Sequence, residues 1–227
     1  MKANTKRTSP QRPKSLTGQV AEQLRKNIIN GTIELGSHLS EARIAEEMGV
    51  SRTPVREAIN RLEMDGLVVI EPQRGTRVFS LESVDLEKIC DTRMYLEMAG
   101  FTEACKQDPD ALEQSLSQCV KDMKAAITDH DLGRYLELDT QFHQYFFDHS
   151  NNQYLVDAYK TISIKMAALR TRLIRHVDHL ERSLKEHVQI VESISAGNID
   201  AARDELIRNI GRAPGTYWNL IAGQSQI

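Results

Sequence analysis

Two pairs of side chains have the types and spacing to do chemistry. Arg52 and Arg56 stand four residues apart in Ser51-Arg52-Thr53-Pro54-Val55-Arg56, and on a helix that spacing puts both on one face. A guanidinium fork matches the two acceptors that guanine presents in the major groove. Ser51 and Thr53 sit where a helix N-terminus contacts phosphate. Further along, Asp139 and His143 are again four apart. A carboxylate and an imidazole so placed converge on one ligand and can bind a divalent metal. A hydrogen-bonded His–Asp pair inside a helical bundle fits the same spacing equally well.

The elements that must hold the arginines are legible around them. Val20, Leu24 and Ile28 recur every four residues and predict a helix closed by Asn30-Gly31. Ser40 can cap a second helix with Ile44, Ala45 and Met48 inward; Gly49 turns the chain and Ser51 can cap a third. There Val55, Ala58, Ile59 and Leu62 form the buried stripe and leave Arg52 and Arg56 outward, with Pro54 harmless in the first turn. The runs Leu67–Ile70 and Arg77–Phe79 flank a Gly-containing turn and predict a hairpin. Three helices and a hairpin make a winged helix-turn-helix, with Arg74, Gly75 and Arg77 on the wing, where arginine can follow a phosphate strand or enter the minor groove. After Ser80 the strand signals stop. Breaks at Asp108-Pro109, His130-Asp131, Ser150 to Asn152, Val177-Asp178 and Gly197-Asn198 predict about six helices in an all-α second domain. The fold class is therefore mainly α. Arg170, Arg172 and Arg175, with His176 and His179, read as a solvated basic face; Tyr154, Tyr217 and Trp218 read as packing residues. Gly211, Pro214 and Gly215 interrupt the last helix.

Composition bounds the function. The net charge of -3 discourages a nucleic-acid reading, but it is a cancellation. Residues 1–80 hold 13 basic and 9 acidic side chains, a net +4, and the remainder carries -7. A basic part joined to an acidic one suggests a polyanion partner for the first alone. Residues 1–15 carry Lys2, Lys6, Arg7, Arg12 and Lys14 without an acid and read as a flexible basic arm. With 40% hydrophobic and 27% charged residues the chain can bury a core and stay soluble. No apolar run approaches a membrane span, and no secretory signal is visible. Three cysteines at no metal-like spacing read as reduced thiols, so a cytoplasmic location is expected.

The stretch from Leu39 to Leu67, above all Val50-Ser51-Arg52-Thr53-Pro54-Val55-Arg56-Glu57-Ala58, closely resembles the DNA-binding domain of GntR-family bacterial transcription regulators. The resemblance implies that Arg52 and Arg56 contact an operator and that Gly75 belongs to the wing tip. A further family arginine falls at Ala42, and the adjacent Arg43 is taken in its place. Residues 84–220 resemble the effector domain of the FadR-like subgroup, the FCD domain, through Asp139-x-x-Phe142-His143, the following Ser150-Asn151-x-x-Tyr154-Leu155, and Glu186-His187. In metal-binding members an Asp and three His surround a divalent ion that helps hold a small organic acid. Carried over, the ligands are Asp139, His143 and His187, for Zn, Ni or Mn; the third histidine position falls at Asn209. Asn is a poorer ligand for Zn or Ni than imidazole. Either three protein ligands hold the ion, or the pocket is metal-free and Asn209 bonds the effector directly. Arg93 matches a family arginine facing the pocket and would pair with an effector carboxylate.

Three units are thus expected: the arm 1–15, a winged helix-turn-helix at 16–80, and an effector-binding and dimerisation domain at 84–222. The expected function is a DNA-binding regulator, a repressor, acting as a homodimer on a palindromic double-stranded operator under a small carboxylate effector, with no membrane partner. The alternative is a metal-dependent enzyme using Asp139, His143 and His187. Against it, the sequence has no His-Glu-x-x-His, no Glu-x-x-His pair and no evident general base.

Overall fold

The computed structural model describes residues 15–173 and 177–211. Helix α1 (Leu16–Ile29) opens the chain, its N-terminus capped by the Ser15 side chain. A short strand β1 (His38–Leu39) leads into α2 (Glu41–Glu47), and α3 (Arg52–Met64) follows. Ser40 caps α2 by accepting from the Arg43 amide, and Gly49 makes the turn with a positive φ of 64°. Strands β2 (Val68–Glu71) and β3 (Gly75–Val78) form the expected hairpin. The structure adds a strand that sequence reasoning missed. β1 pairs antiparallel with β3, so the sheet order is β1-β3-β2. Two residues carry no readable alternation, and β1 exists because β3 offers it an open edge.

Val20, Leu24, Ile28, Val55, Ala58, Ile59 and Leu62 are all buried and form one apolar core with Leu67, Val68, Val78 and Phe79. Six further helices are described: α4 (Ser83–Gln107), α5 (Pro109–Thr128), α6 (Leu132–Asp148), α7 (Gln153–Leu173), α8 (Val177–Ser195) and α9 (Ile199–Ile210). Their own core gathers Phe101, Leu112, Leu116, Met123, Phe142, Phe146, Phe147, Met166, Ile190 and Leu206. Helix ends follow the sequence breaks. Asp108 caps α5 with Pro109 in its first turn, Asp131 caps α6, and Asn198 caps α9. Asn151 takes a positive φ of 50°, and the Asn152 side chain accepts from the Tyr154 and Leu155 amides to start α7.

Two sequence expectations fail here. Tyr154 is not a packing residue, for its side chain stands 88% exposed. Arg170 and Arg172 are not a solvated face. Arg170 is buried at 3% exposure and Arg172 is half-buried, because the C-terminal half of α7 lies between the bundle and the winged domain and has little free surface. Arg175, His176, Pro214, Gly215, Tyr217 and Trp218 lie outside the described residues, as does most of the basic arm. No described helix is long and apolar enough to cross a membrane.

Candidate operator-contact surface and effector pocket

The α3 register follows from its apolar stripe. Val55, Ala58, Ile59 and Leu62 face the core, and Arg52, Thr53 and Arg56 point to solvent. Ser51 precedes the helix without spending its hydroxyl on a cap. Arg56 is not idle. Its Nη2 lies 2.9 Å from Glu41 Oε2 and its Nε 3.1 Å from Oε1, a forked ion pair that holds the Glu41 carboxyl below its ordinary pKa. Arg43 is exposed and pairs with Glu47 at 3.4 Å. On the wing, Arg74 is exposed beside Gly75, whose φ of 85° needs a residue without Cβ. Arg77 is half-buried and ion-paired to Glu71, so it braces the hairpin as well as facing its rim.

The second site is a buried polar cluster between α4, α6, α7 and α8. Glu97 is fully buried at its centre. Arg93, one turn earlier on α4, donates from Nε to Glu97 Oε1 at 2.7 Å. The Tyr159 hydroxyl donates to the same oxygen at 3.0 Å, and Arg170 Nη2 lies 3.7 Å from it. His143 Nδ1 approaches Glu97 Oε2 to 2.7 Å. This contact puts the ring proton on Nδ1 and leaves the Nε2 lone pair toward Arg93 Nη2, 3.0 Å away. Arg170 Nε lies 3.2 Å from Asp139 Oδ2, and His187 Nε2 lies 3.7 Å from Asp139 Oδ1. Two arginines thus face two carboxylates, and the cluster is neutral with neutral imidazoles.

Burial raises a carboxyl's pKa, yet here the charges win. Arg93, His143 and Arg170 hold Glu97 well below the usual range, and Arg170 with His187 does the same for Asp139. The histidines move down for the opposite reason. Desolvation disfavours the imidazolium, lowering His143 and taking His187 to about 3.

Asp139, His143 and His187 each offer one donor atom, all within 4.8 Å of one another. Their chemistry fits a divalent ion. His187 is fully buried with no hydrogen-bond partner at either ring nitrogen, a costly state for a polar group. The 3.7 Å between its Nε2 and Asp139 Oδ1 is too long for a hydrogen bond but close to the spacing of two ligands about 2.1 Å from one zinc. Arg93 competes for His143 Nε2 and must yield to an ion there. Asn209 is buried but turns its Nδ2 to Glu186 Oε2 at 2.9 Å. The cysteines take no part. Burial pushes the Cys105 thiol up to about 11 and the Cys119 thiol up to about 12.

Sequence reasoning missed Glu97, Tyr159 and Arg170. Glu97 had a signal, since it follows Arg93 by one helical turn. Arg170 was hidden in a run of arginines, and nothing near Tyr159 marked it.

Comparison with known proteins decides the family. The profile of bacterial regulatory proteins of the gntR family matches residues 16–78, and the FCD domain matches residues 88–212. The chain belongs to the GntR family. The gluconate operon transcriptional repressor of Bacillus subtilis (strain 168) is 33% identical over 187 residues, 80% of this chain and 76% of that one. The transcriptional repressor RspR of Escherichia coli (strain K12) is 27% identical, covering 85% of this chain and 84% of that one. Among solved structures, a GntR regulator from Rhodococcus sp. RHA1 superposes with a TM-score of 0.74 at 26% identity, covering 87% of this chain and 94% of that one. E. coli McbR/YncC gives the same TM-score at 21% identity, over 94% of this chain and 99% of that one, and shows the shared fold. As a GntR regulator the chain is a DNA-binding transcription regulator with an FCD effector-binding domain.

Proposed function

We propose that this GntR regulator is a cytoplasmic repressor that binds a palindromic operator as a homodimer and responds to a small organic acid in the α4–α8 pocket. Residues 16–80 form the DNA-reading unit and 84–222 the effector-binding and dimerising unit. Arg52 and Arg56 read base edges, Ser51, Thr53 and Arg43 contact phosphate, and Arg74, Gly75 and Arg77 carry the wing along the backbone. Repression is supported by the names of two relatives, the gluconate operon repressor and RspR. Two copies place two recognition helices in successive major grooves.

One observation supports the pocket reading most: a fully buried histidine, His187, whose ring nitrogens have no hydrogen-bond partner, beside Asp139 and His143. Asp139, His143 and His187 would hold Zn, Ni or Mn, which when bound supplies a Lewis-acid anchor for an effector oxygen. Arg93 and Arg170 would then face the effector carboxylate. A divalent ion adds two positive charges to a neutral cluster, so an anionic effector offsets what the ion brings. Asn209 supports Glu186 on the flank, and its amide is available if the helix end moves.

The test has two readouts. A duplex selected by the wild-type protein from a randomised library should lose specific binding in Arg52→Ala and in Arg56→Ala while both variants unfold at the wild-type temperature. Unchanged affinity in both would overturn the DNA-contact assignment. ZnCl2 titrated into chelator-treated protein should bind calorimetrically and raise the melting temperature, and Asp139→Asn should abolish both. Equal zinc affinity in Asp139→Asn would overturn the ligand set.

A further inference from the structure

Helix α7 belongs to two cores at once. Tyr159, Ile162, Met166 and Leu169 pack into the bundle, at spacings of three and four that keep them on one face. Ile164 and Ala168 pack instead into the winged domain, where Ala168 is fully buried. Lys165 lies over the Phe79 ring, 5.8 Å from its centroid. Arg172 continues this second face, four residues beyond Ala168. Its Nη1 donates to Ile28 O at 2.8 Å, to Ile29 O at 3.4 Å and to Ala168 O at 2.7 Å, and its Nη2 donates to Ile33 O at 3.1 Å. One guanidinium thereby satisfies carbonyls at the C-terminal end of α1 that have no partner within the helix, and places positive charge where the helix dipole favours it.

The same helix reaches the pocket. Tyr159 and Arg170 both face Glu97, and Arg170 also faces Asp139. Arg170 and Arg172 are two residues apart on opposite faces, one reading the effector cluster and the other holding α1. Helix α1 in turn carries the recognition helix, through Arg25 Nη2 to Asp65 Oδ2 at 2.5 Å and Thr17 Oγ1 to Glu57 Oε2 at 2.7 Å. A cleft of about 860 Å³ runs beside this seam between α1, α6 and α7, lined by Lys26, Ile29, Arg134, Thr140 and Thr171. Part of the seam is thus open, leaving α1 room to shift against α6.

We propose that α7 is the lever joining effector pocket to DNA reader, and that Arg172 is its latch on the C-terminal end of α1. The proposal rests on the effector-pocket reading for its purpose, since it names how that pocket would be heard at the operator. An occupant that draws Arg170 away from Asp139 or Glu97 re-seats α7, and Arg172 then loosens or tightens the end of α1. Arg172 is a positioning residue that touches neither effector nor DNA.

The amides of Asn30, Gly31 and Ile33 report the latch, because they bond to the Lys26, Ile28 and Asn27 carbonyls at that end of α1. Hydrogen exchange of full-length wild type, Arg170→Gln, Arg172→Ala and the double variant is followed in peptides covering residues 27–36 and 68–78. Arg172→Ala should speed exchange at 27–36 at least fivefold and leave the hairpin peptide unchanged. Arg170→Gln should change exchange at 27–36 at least threefold in the wild-type background and add nothing once Arg172 is Ala. No change at 27–36 in Arg170→Gln, or the same factor in both backgrounds, would overturn the proposal. Should Arg170→Gln lose cooperative unfolding, Tyr159→Phe, which removes one hydroxyl from Glu97, is read by the same criteria. The measurement needs neither duplex nor ligand. Wild-type protein that binds no DNA or no ZnCl2 would count against the function proposed above, and the exchange pattern would still decide the latch.

Discussion

At the scale of single residues, the pocket is governed by desolvation. His187 is kept neutral by burial, with its pKa taken down to about 3, while an unfolded histidine titrates near 6.5. Between those values the unfolded chain binds a proton that the folded chain refuses. Stability is therefore full above about pH 6.5 and falls as pH drops toward 3, at about 1.4 kcal/mol per pH unit for one such group. Asp139 and Glu97 act in the same direction at lower pH, since their folded pKa values are depressed and the unfolded carboxyls protonate first. Urea unfolding of chelator-treated protein should show a lower midpoint at pH 5 than at pH 7, and His187→Gln should flatten that difference. A midpoint independent of pH across this range would contradict the buried neutral imidazole. Saturating zinc should raise stability by about 2.7 kcal/mol at one hundred times its dissociation constant.

At the scale of elements, close approach of α4 to α6 brings the cluster together. Gly100 faces the Phe147 ring, and a Cβ there would lie 3.1 Å from the nearest ring carbon. Glu97 precedes Gly100 by about one turn, and His143 precedes Phe147 by about one turn, so the contact that needs glycine also sets the 2.7 Å between Glu97 and His143. Gly100→Val should destabilise by about 1–3 kcal/mol through overpacking and weaken zinc binding as well; wild-type stability would show that the helices can part freely. Ser40→Ala should cost about 1 kcal/mol by removing the α2 cap, measured by the same unfolding assay. The elements were largely legible because caps and periodic apolar residues are local signals. Val55, Ala58, Ile59 and Leu62 announce the buried face of α3 and so the outward direction of Arg52 and Arg56. The two-residue β1 was not legible, since its existence depends on an edge supplied about 40 residues later. Arg170 and Arg172 were misread for a related reason. Their surroundings come from α4, α6 and α1, and a helix packed on both sides shows no polar face in its own sequence.

At the scale of the whole molecule, charge separates the two jobs. The basic reader and acidic bundle predict DNA affinity that falls steeply with salt. Arg74→Ala should weaken binding to specific and random duplexes alike and reduce the salt slope by about one, read from binding isotherms at several salt concentrations. Native mass spectrometry of the complex should return two chains per duplex; one chain per duplex would exclude the two-fold arrangement. The Glu41–Arg56 pair gives this search a particular character. A carboxylate gripping the guanidinium fork imitates the anions of nucleic acid, so DNA of any sequence must first evict it. That toll is the same at every site along a genome, whereas only a correctly placed guanine returns a forked contact of equal quality. A penalty common to all sites cancels from the ratio of affinities, so the pair lowers the hold on every sequence alike and shortens the time spent on wrong ones, while the discrimination itself comes from the guanine contact.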